Sequence, residues 1–129
     1  MRIFKVAWFV RFAQAEGITD ELLSEAVARA ERGQVDARLG GEVIKQRIPR
    51  AGRGRSGGYR AVVIFRGGER AVYVYGYAKS ERSNLRPDEV AHFKKLAIHV
   101  LTLSDAELAA LLARGTIEEV SLDEREISE

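Results

Sequence analysis

The chain of 129 residues has no cysteine, two histidines and no long apolar run. Without cysteine there is no disulfide framework, no thiolate zinc cluster and no thiol nucleophile, which fits a reducing compartment, with the cytoplasm as the expected location. His92 and His99, seven residues apart on a predicted helix, have no third ligand at metal spacing. No metal site is expected from them, and each is read as structural or solvent-exposed. The apolar start of the chain is interrupted by Arg11, Gln14 and Glu16 before a signal-peptide core forms, so neither a leader nor a membrane span is expected. The glycines between Gly52 and Gly58 lack the Lys-Ser/Thr ending of a phosphate-binding P-loop and precede a strand, which argues against mononucleotide binding. There is no internal repeat and no low-complexity tract.

What is present is charge, unevenly placed. The net charge of +2 conceals a chain whose residues from Ser104 onward hold two basic and eight acidic side chains, so that the rest carries +8. A basic body with an acidic tail points to a polyanionic partner. The length suits one domain with a real core. The sign change near Thr102 to Ser104 is the one candidate boundary, and residues 104–129 are read as a short appended helix and acidic tail of the same domain, with Thr116 to Glu129 either a frayed tail or a short strand. That tail is read as a solubility element, and carboxylate pairs such as Glu118 and Glu119 as a solvated charge run.

The expected fold class is α+β, an antiparallel sheet of three to four strands with an N-terminal helix pair packed on it and C-terminal helices. Arg2 to Lys5 is a candidate short strand. Trp8, Phe9 and Phe12 recur at helical spacing and are read as core, with Gly17 as the stop. Thr19 or Asp20 offers an N-cap to a second helix whose stripe is Leu22, Leu23, Ala26, Val27 and Ala30. Gln34 to Gly41 is read as a connector. Period-two alternation then places Ile44, Gln46 and Ile48 on one face and Val43, Lys45 and Arg47 on the other. After the glycine-rich basic loop, a strand from Tyr59 to Arg66 and the turn Gly67-Gly68 lead to a third strand. There Tyr73, Tyr75 and Tyr77 alternate with Val72, Val74 and Gly76, which puts the three tyrosines on one face. Pro87, Asp88 and Glu89 suit a helix start, and Ser104 with Glu107 has capping-box spacing ahead of a helix ending at Gly115.

The basic residues from Lys45 to Arg82 are spread over several elements that a sheet would bring together. Lys45 and Arg47 lie on one strand, Arg60 on its neighbour, Lys79 and Arg82 beyond the next, with Arg50, Arg53 and Arg55 in the intervening loop. Mutual repulsion opposes such clustering in water, and a bound polyanion is a natural reason for it, the plainer reading being solubility and loose counterion binding.

The order K-Q-R, then S-G-G-Y-R, then Y-G-Y-A-K-S-E-R-S-N resembles the RelE-like branch of the RelE/ParE toxins of bacterial type II toxin–antitoxin systems, particularly the HigB-like members. The resemblance runs from residue 1 to about residue 101 and makes residues 1–103 a RelE-like toxin domain. It implies a ribosome-dependent endoribonuclease, an mRNA interferase that inhibits translation, needing no metal or cofactor. It implies as partners a cognate antitoxin of helix-turn-helix type, mRNA and the ribosome, and no membrane. By position in the motifs, Lys45, Arg47, Arg60, Lys79 and Arg82 match the family's catalytic positions, Arg60 being the arginine that holds the scissile phosphate. Arg50, Arg53, Arg55 and Tyr77 are read as RNA-binding residues. Two positions depart from the family: Ser80 stands where it has a catalytic arginine and Arg86 roughly where it has a catalytic tyrosine.

RNA cleavage needs a base for the 2′-hydroxyl, stabilisation of phosphate charge, and neutralisation of the leaving 5′-oxygen. A lysine serves as base when neighbouring cations lower its pKa, which is the expected situation of Lys45 beside Arg47 and Arg60. Arg47 and Arg60 are then the phosphate ligands, and Lys79 or Arg82 faces the leaving oxygen. The alternatives are a ParE-like interaction protein acting on DNA gyrase and an RNA-binding module without chemistry.

Overall fold

The computed structural model describes residues 1–50 and 58–121. In chain order the elements are β1 (Arg2–Val6), α1 (Ala7–Glu16), α2 (Asp20–Glu31), β2 (Ala37–Gly40), β3 (Val43–Ile48), β4 (Tyr59–Arg66), β5 (Arg70–Ala78), α3 (Pro87–Thr102), α4 (Asp105–Arg114) and β6 (Ile117–Glu119). The strands form one six-stranded sheet in the order β2-β3-β4-β5-β1-β6, in which β1 runs parallel to β5 and every other pairing is antiparallel.

The sheet is wider than the expected three to four strands because both edges escape a periodicity reading. β2 is a four-residue strand inside the stretch read as a connector. It pairs with β3 through a two-residue turn, Gly41-Glu42, with φ of 60° and 63°. Positive φ at both central residues is the hairpin turn whose twist matches that of its strands. β6 has three residues and pairs with β1, its Glu119 carboxylate receiving the Arg2 guanidinium at 2.8 and 3.0 Å.

Helices cover both faces. The termini of the first two obey local rules: α1 stops at Gly17 in the left-handed conformation, and the Thr19 hydroxyl accepts from Leu22 N at 3.2 Å to cap α2. Phe9 and Ala13 of α1 and Leu23, Ala26, Val27 and Ala30 of α2 bury against Ile44, Ile48, Ala61, Val63 and Tyr73, so the helix pair packs on one face as expected. The opposite face carries α3 and α4, with Phe93, Ala97 and Leu108 packed on Phe4, Val43, Val62, Ile64 and Val72. Both helices begin with a capping box, and the chain bends by 111° between them. Among the described residues no single helix is long and apolar enough to cross a membrane.

Two expectations about aromatics are corrected. Trp8 is not core: it is 40% exposed, stacked on Phe12 and Tyr75 where β5 runs past the end of β1. The three tyrosines of β5 do not share a face. Val62 pairs with Tyr75 but Val63 with Tyr73, so Val74 is an extra residue at a bulge. One extra residue reverses the phase of a period-two pattern. Tyr73 therefore points under the helix pair, its hydroxyl donating to Leu23 O at 2.7 Å, while Tyr75 and Tyr77 emerge on the other side.

Candidate active site

The registers of β3, β4 and β5 write two rows of side chains across one face. Lys45, Val62 and Tyr75 form the first, and Arg47, Arg60 and Tyr77 the second. The adjoining row of Val43, Ile64 and Val72 is covered by Phe93 and Ala97 of α3. The cations thus occupy the end of the sheet face beyond the α3 contact. Neighbouring strands lie ~5 Å apart, so Arg47 and Arg60, which are direct cross-strand partners, sit side by side with like charge. Such a pair is unfavourable in a sheet.

The backbone beneath these side chains is fixed. The Asp36 carboxylate accepts from Arg47 N, and Arg47 O accepts from Arg29 Nη2 at 2.7 Å. Gln46, between the two cations, is buried on the opposite face, and its amide donates to Ala26 O and Gln34 O and accepts from Asp36 N. The guanidinium of Arg47 is exposed and has no partner among the described residues. Among the described residues Arg60 makes one hydrogen bond, Nη1 to Tyr59 O at 3.4 Å. Lys45 is half-buried, and its Nζ donates to Asn84 Oδ1 at 3.2 Å. Burial first, and the charge of Arg60 second, lower the Lys45 pKa from the ordinary lysine value.

Arg82 has a different environment. Its guanidinium is paired with the Glu89 carboxylate, donates to Tyr75 Oη and Asn84 O at 3.0 Å each, and lies 5.8 and 5.5 Å from the ring centres of Tyr75 and Tyr77. The Arg82 guanidinium, with a further bond from Arg86 N, holds Glu89 down at about 2. Arg82 thus arrives at the site with its charge already met. Tyr77 is only 5% exposed, and its hydroxyl is buried without a partner among the described residues. Burial raises its pKa, and Arg60 and Arg82 oppose the rise.

Lys79 is exposed in the turn after β5, its backbone N bonded to Gly58 O at 3.1 Å. Arg50 lies 5.2 Å over the ring of Tyr59, a residue that faces the helix pair. It joins Arg47 and Arg60 only as a wall of a cleft of about 500 Å³, which Arg29 and Glu25 of α2 also line. Arg53 and Arg55, like the residues from Leu122 to Glu129 of the acidic tail, lie outside the described residues. Ser80 is an exposed turn residue, and Arg86 is the exposed N-cap of α3, bonded to Asp88. Among the described residues no three His, Cys, Asp or Glu side chains gather where they could hold a metal ion.

Sequence reasoning missed Asn84, Glu89, Tyr75 and Arg29. Glu89 carries the signal of a helix-start acid, but nothing in its spacing shows that it also reaches Arg82. The other three depend on which strand lies beside which.

Fold and site together define a small α+β protein that presents on one sheet face a cluster of cations without acidic partners among the described residues. The family model described as the RelE toxin of the RelE/RelB toxin–antitoxin system matches residues 1–120. The chain belongs to this family and is a toxin of a toxin–antitoxin system, which implies a cognate antitoxin. No curated protein matches it.

Proposed function

We propose that this toxin inhibits translation by cutting mRNA on the ribosome, and that it does so with its own cations. The observation that carries the reading is the convergence of Lys45, Arg47 and Arg60 on one uncovered patch with no acidic partner among the described residues, in a chain of the RelE family. RelE toxins are generally endoribonucleases.

Lys45 in its neutral form takes the proton of the 2′-hydroxyl, whose oxygen attacks the adjacent phosphorus. Arg47 and Arg60, side by side, meet the charge of the pentacoordinate phosphate. The bond to the 5′-oxygen breaks, leaving a 2′,3′-cyclic phosphate, and the leaving oxygen takes up a proton. Lys79, two residues beyond Tyr77 and free of acidic partners among the described residues, is assigned to that oxygen. Arg82, already paired with Glu89, shapes the site by holding Tyr75 and Tyr77. Arg50 and the basic loop that includes Arg53 and Arg55 guide the flanking RNA, and Tyr77 lines the phosphate site. The work is done in the cytoplasm, and residues 1–103 carry it.

Primer extension on a message translated by purified ribosomes tests this. Cuts linked to codons are expected, and the triple variant Lys45→Ala, Arg47→Ala, Arg60→Ala should lose at least ~10³-fold in cleavage rate. Unchanged cutting by the triple variant overturns the assignment. Inhibition of gyrase supercoiling without cuts would identify the ParE-like alternative, and salt-sensitive RNA binding without cuts a module that performs no chemistry.

A further inference from the structure

We propose that Asn84 is a positioning residue for Lys45, an uncharged clamp that aims the amine at the substrate. Resting on the base role of Lys45 given above, the inference adds a residue to which no role has been assigned. Asn84 Oδ1 accepts from Lys45 Nζ at 3.2 Å and from Leu85 N at 2.9 Å, which fixes the amide in orientation. The backbone carbonyl of the same residue accepts from Arg82 Nε at 3.0 Å, and Arg82 is tied in turn to Glu89 in the first turn of α3. The lysine is thereby tied by one neutral oxygen to Asn84, 39 residues along the chain, and through Arg82 to the first turn of α3.

The neutrality of that oxygen matters. An amine that is to accept a proton must be oriented while staying easy to deprotonate. A carboxylate would orient it equally well, but an opposite charge within ~4–6 Å raises a lysine pKa by about one to three pH units and holds the proton on. An amide oxygen occupies one N–H and adds no charge. The other groups around Lys45 fit that purpose. Arg60 on β4, Arg47 on β3 and Arg82 after β5 are cations, and Tyr75 and Tyr77 on β5 are phenols. Ala37 of β2 stands opposite Lys45, and Glu89 of α3 spends its carboxylate on Arg82 and Arg86 N. Among the described residues no carboxylate bonds to Lys45. Burial and Arg60 then lower its pKa unopposed.

The test compares Asn84→Asp, Asn84→Ala and Asn84→Gln in the full chain with two readouts. The first is the titration of the Lys45 side chain by carbon-detected NMR, which needs no activity, and the second is the pH profile of message cleavage. Asn84→Asp should move the Lys45 titration upward by about one pH unit or more and shift the cleavage profile to higher pH by the same amount. Asn84→Ala should leave the titration within a few tenths of a pH unit while lowering cleavage roughly ten-fold across the profile, with partial recovery in Asn84→Gln. If neither Asp nor Ala moves either readout, the clamp is wrong. If Asp moves the titration but Lys45→Ala still cleaves, the base role of Lys45 fails while the contact with Asn84 stands. Equal thermal midpoints for the three variants and the parent assign these changes to the site, and equally lowered midpoints with parallel loss of cleavage would overturn the positioning role.

Discussion

Gln46 stands between the two cations of β3 and faces away from them, and its three hydrogen bonds hold the strand to α2 and to the segment before β2. Truncating it would remove all three bonds at a residue only 1% exposed, and each lost bond costs about 0.5–1.5 kcal/mol. Gln46→Ala is therefore expected to destabilise the protein by about 2–4 kcal/mol in urea denaturation, more than Lys45→Ala or Arg47→Ala, whose side chains have no such role. The alternation of the strand set Gln46 on the face opposite Lys45 and Arg47, but neither that this face lies under α2 nor the polar burial there was legible, because the partners come from other elements of the chain. Glu89 gives a second prediction. Its carboxyl is lowered from 4.5 to about 2 by Arg82, so the stability it contributes is present above pH 4.5 and is lost as pH falls toward 2. Parent protein should lose stability over that window more steeply than Glu89→Gln, as read from urea midpoints at a series of pH values.

At the scale of elements, β5 decides where the site is. Its bulge at Val74 divides the tyrosines, sending Tyr73 into the core and Tyr75 and Tyr77 to the cationic face. Beyond the bulge Gly76 faces α1 closely enough that a Cβ there would lie 2.5 Å from Phe12 Cε2 and 3.1 Å from Phe9 Cε1. The Phe12 ring is boxed by Trp8, Phe9 and Tyr59 and has little room to yield. Gly76→Ala should cost about 1–3 kcal/mol and lower the melting temperature by several degrees in calorimetry. In the sequence this glycine reads only as a gap in an alternating strand. The starts of α2 and α4 were legible, since Thr19 and Ser104 act on amides within three residues. β2 was not, and β6 is only one of two readings of the acidic end, since strands of four and three residues hold no pattern long enough to read.

For the whole molecule the consequence is an electrostatic one. Helices screen both faces of the sheet except at the end where Lys45, Arg47 and Arg60 gather, so a single-stranded RNA meets a local field much stronger than the net charge of +2 suggests. Binding of a short RNA, followed by fluorescence anisotropy at increasing salt, should weaken with a log–log slope of about −0.7 per phosphate contacted. Arg47→Ala with Arg60→Ala should reduce that slope by roughly 1.4, whereas replacing Arg114 on α4 should leave it unchanged. A slope insensitive to Arg47 and Arg60 would place the RNA elsewhere.

What is local could be read from the order of residues: the four helices, the caps of α2 and α4, the three central strands, the common face of Ile44, Gln46 and Ile48, and the motif order that marks a RelE toxin. Each of these rests on a period or a contact within a few residues. Which cations are available for work depends on the folded sheet. Arg82 and Arg60 look alike in sequence, yet one is neutralised by Glu89 and the other faces Arg47 across a strand pair. Charge neutralisation acts through space over a few ångströms, and the folded sheet, not the order of residues, sets those distances.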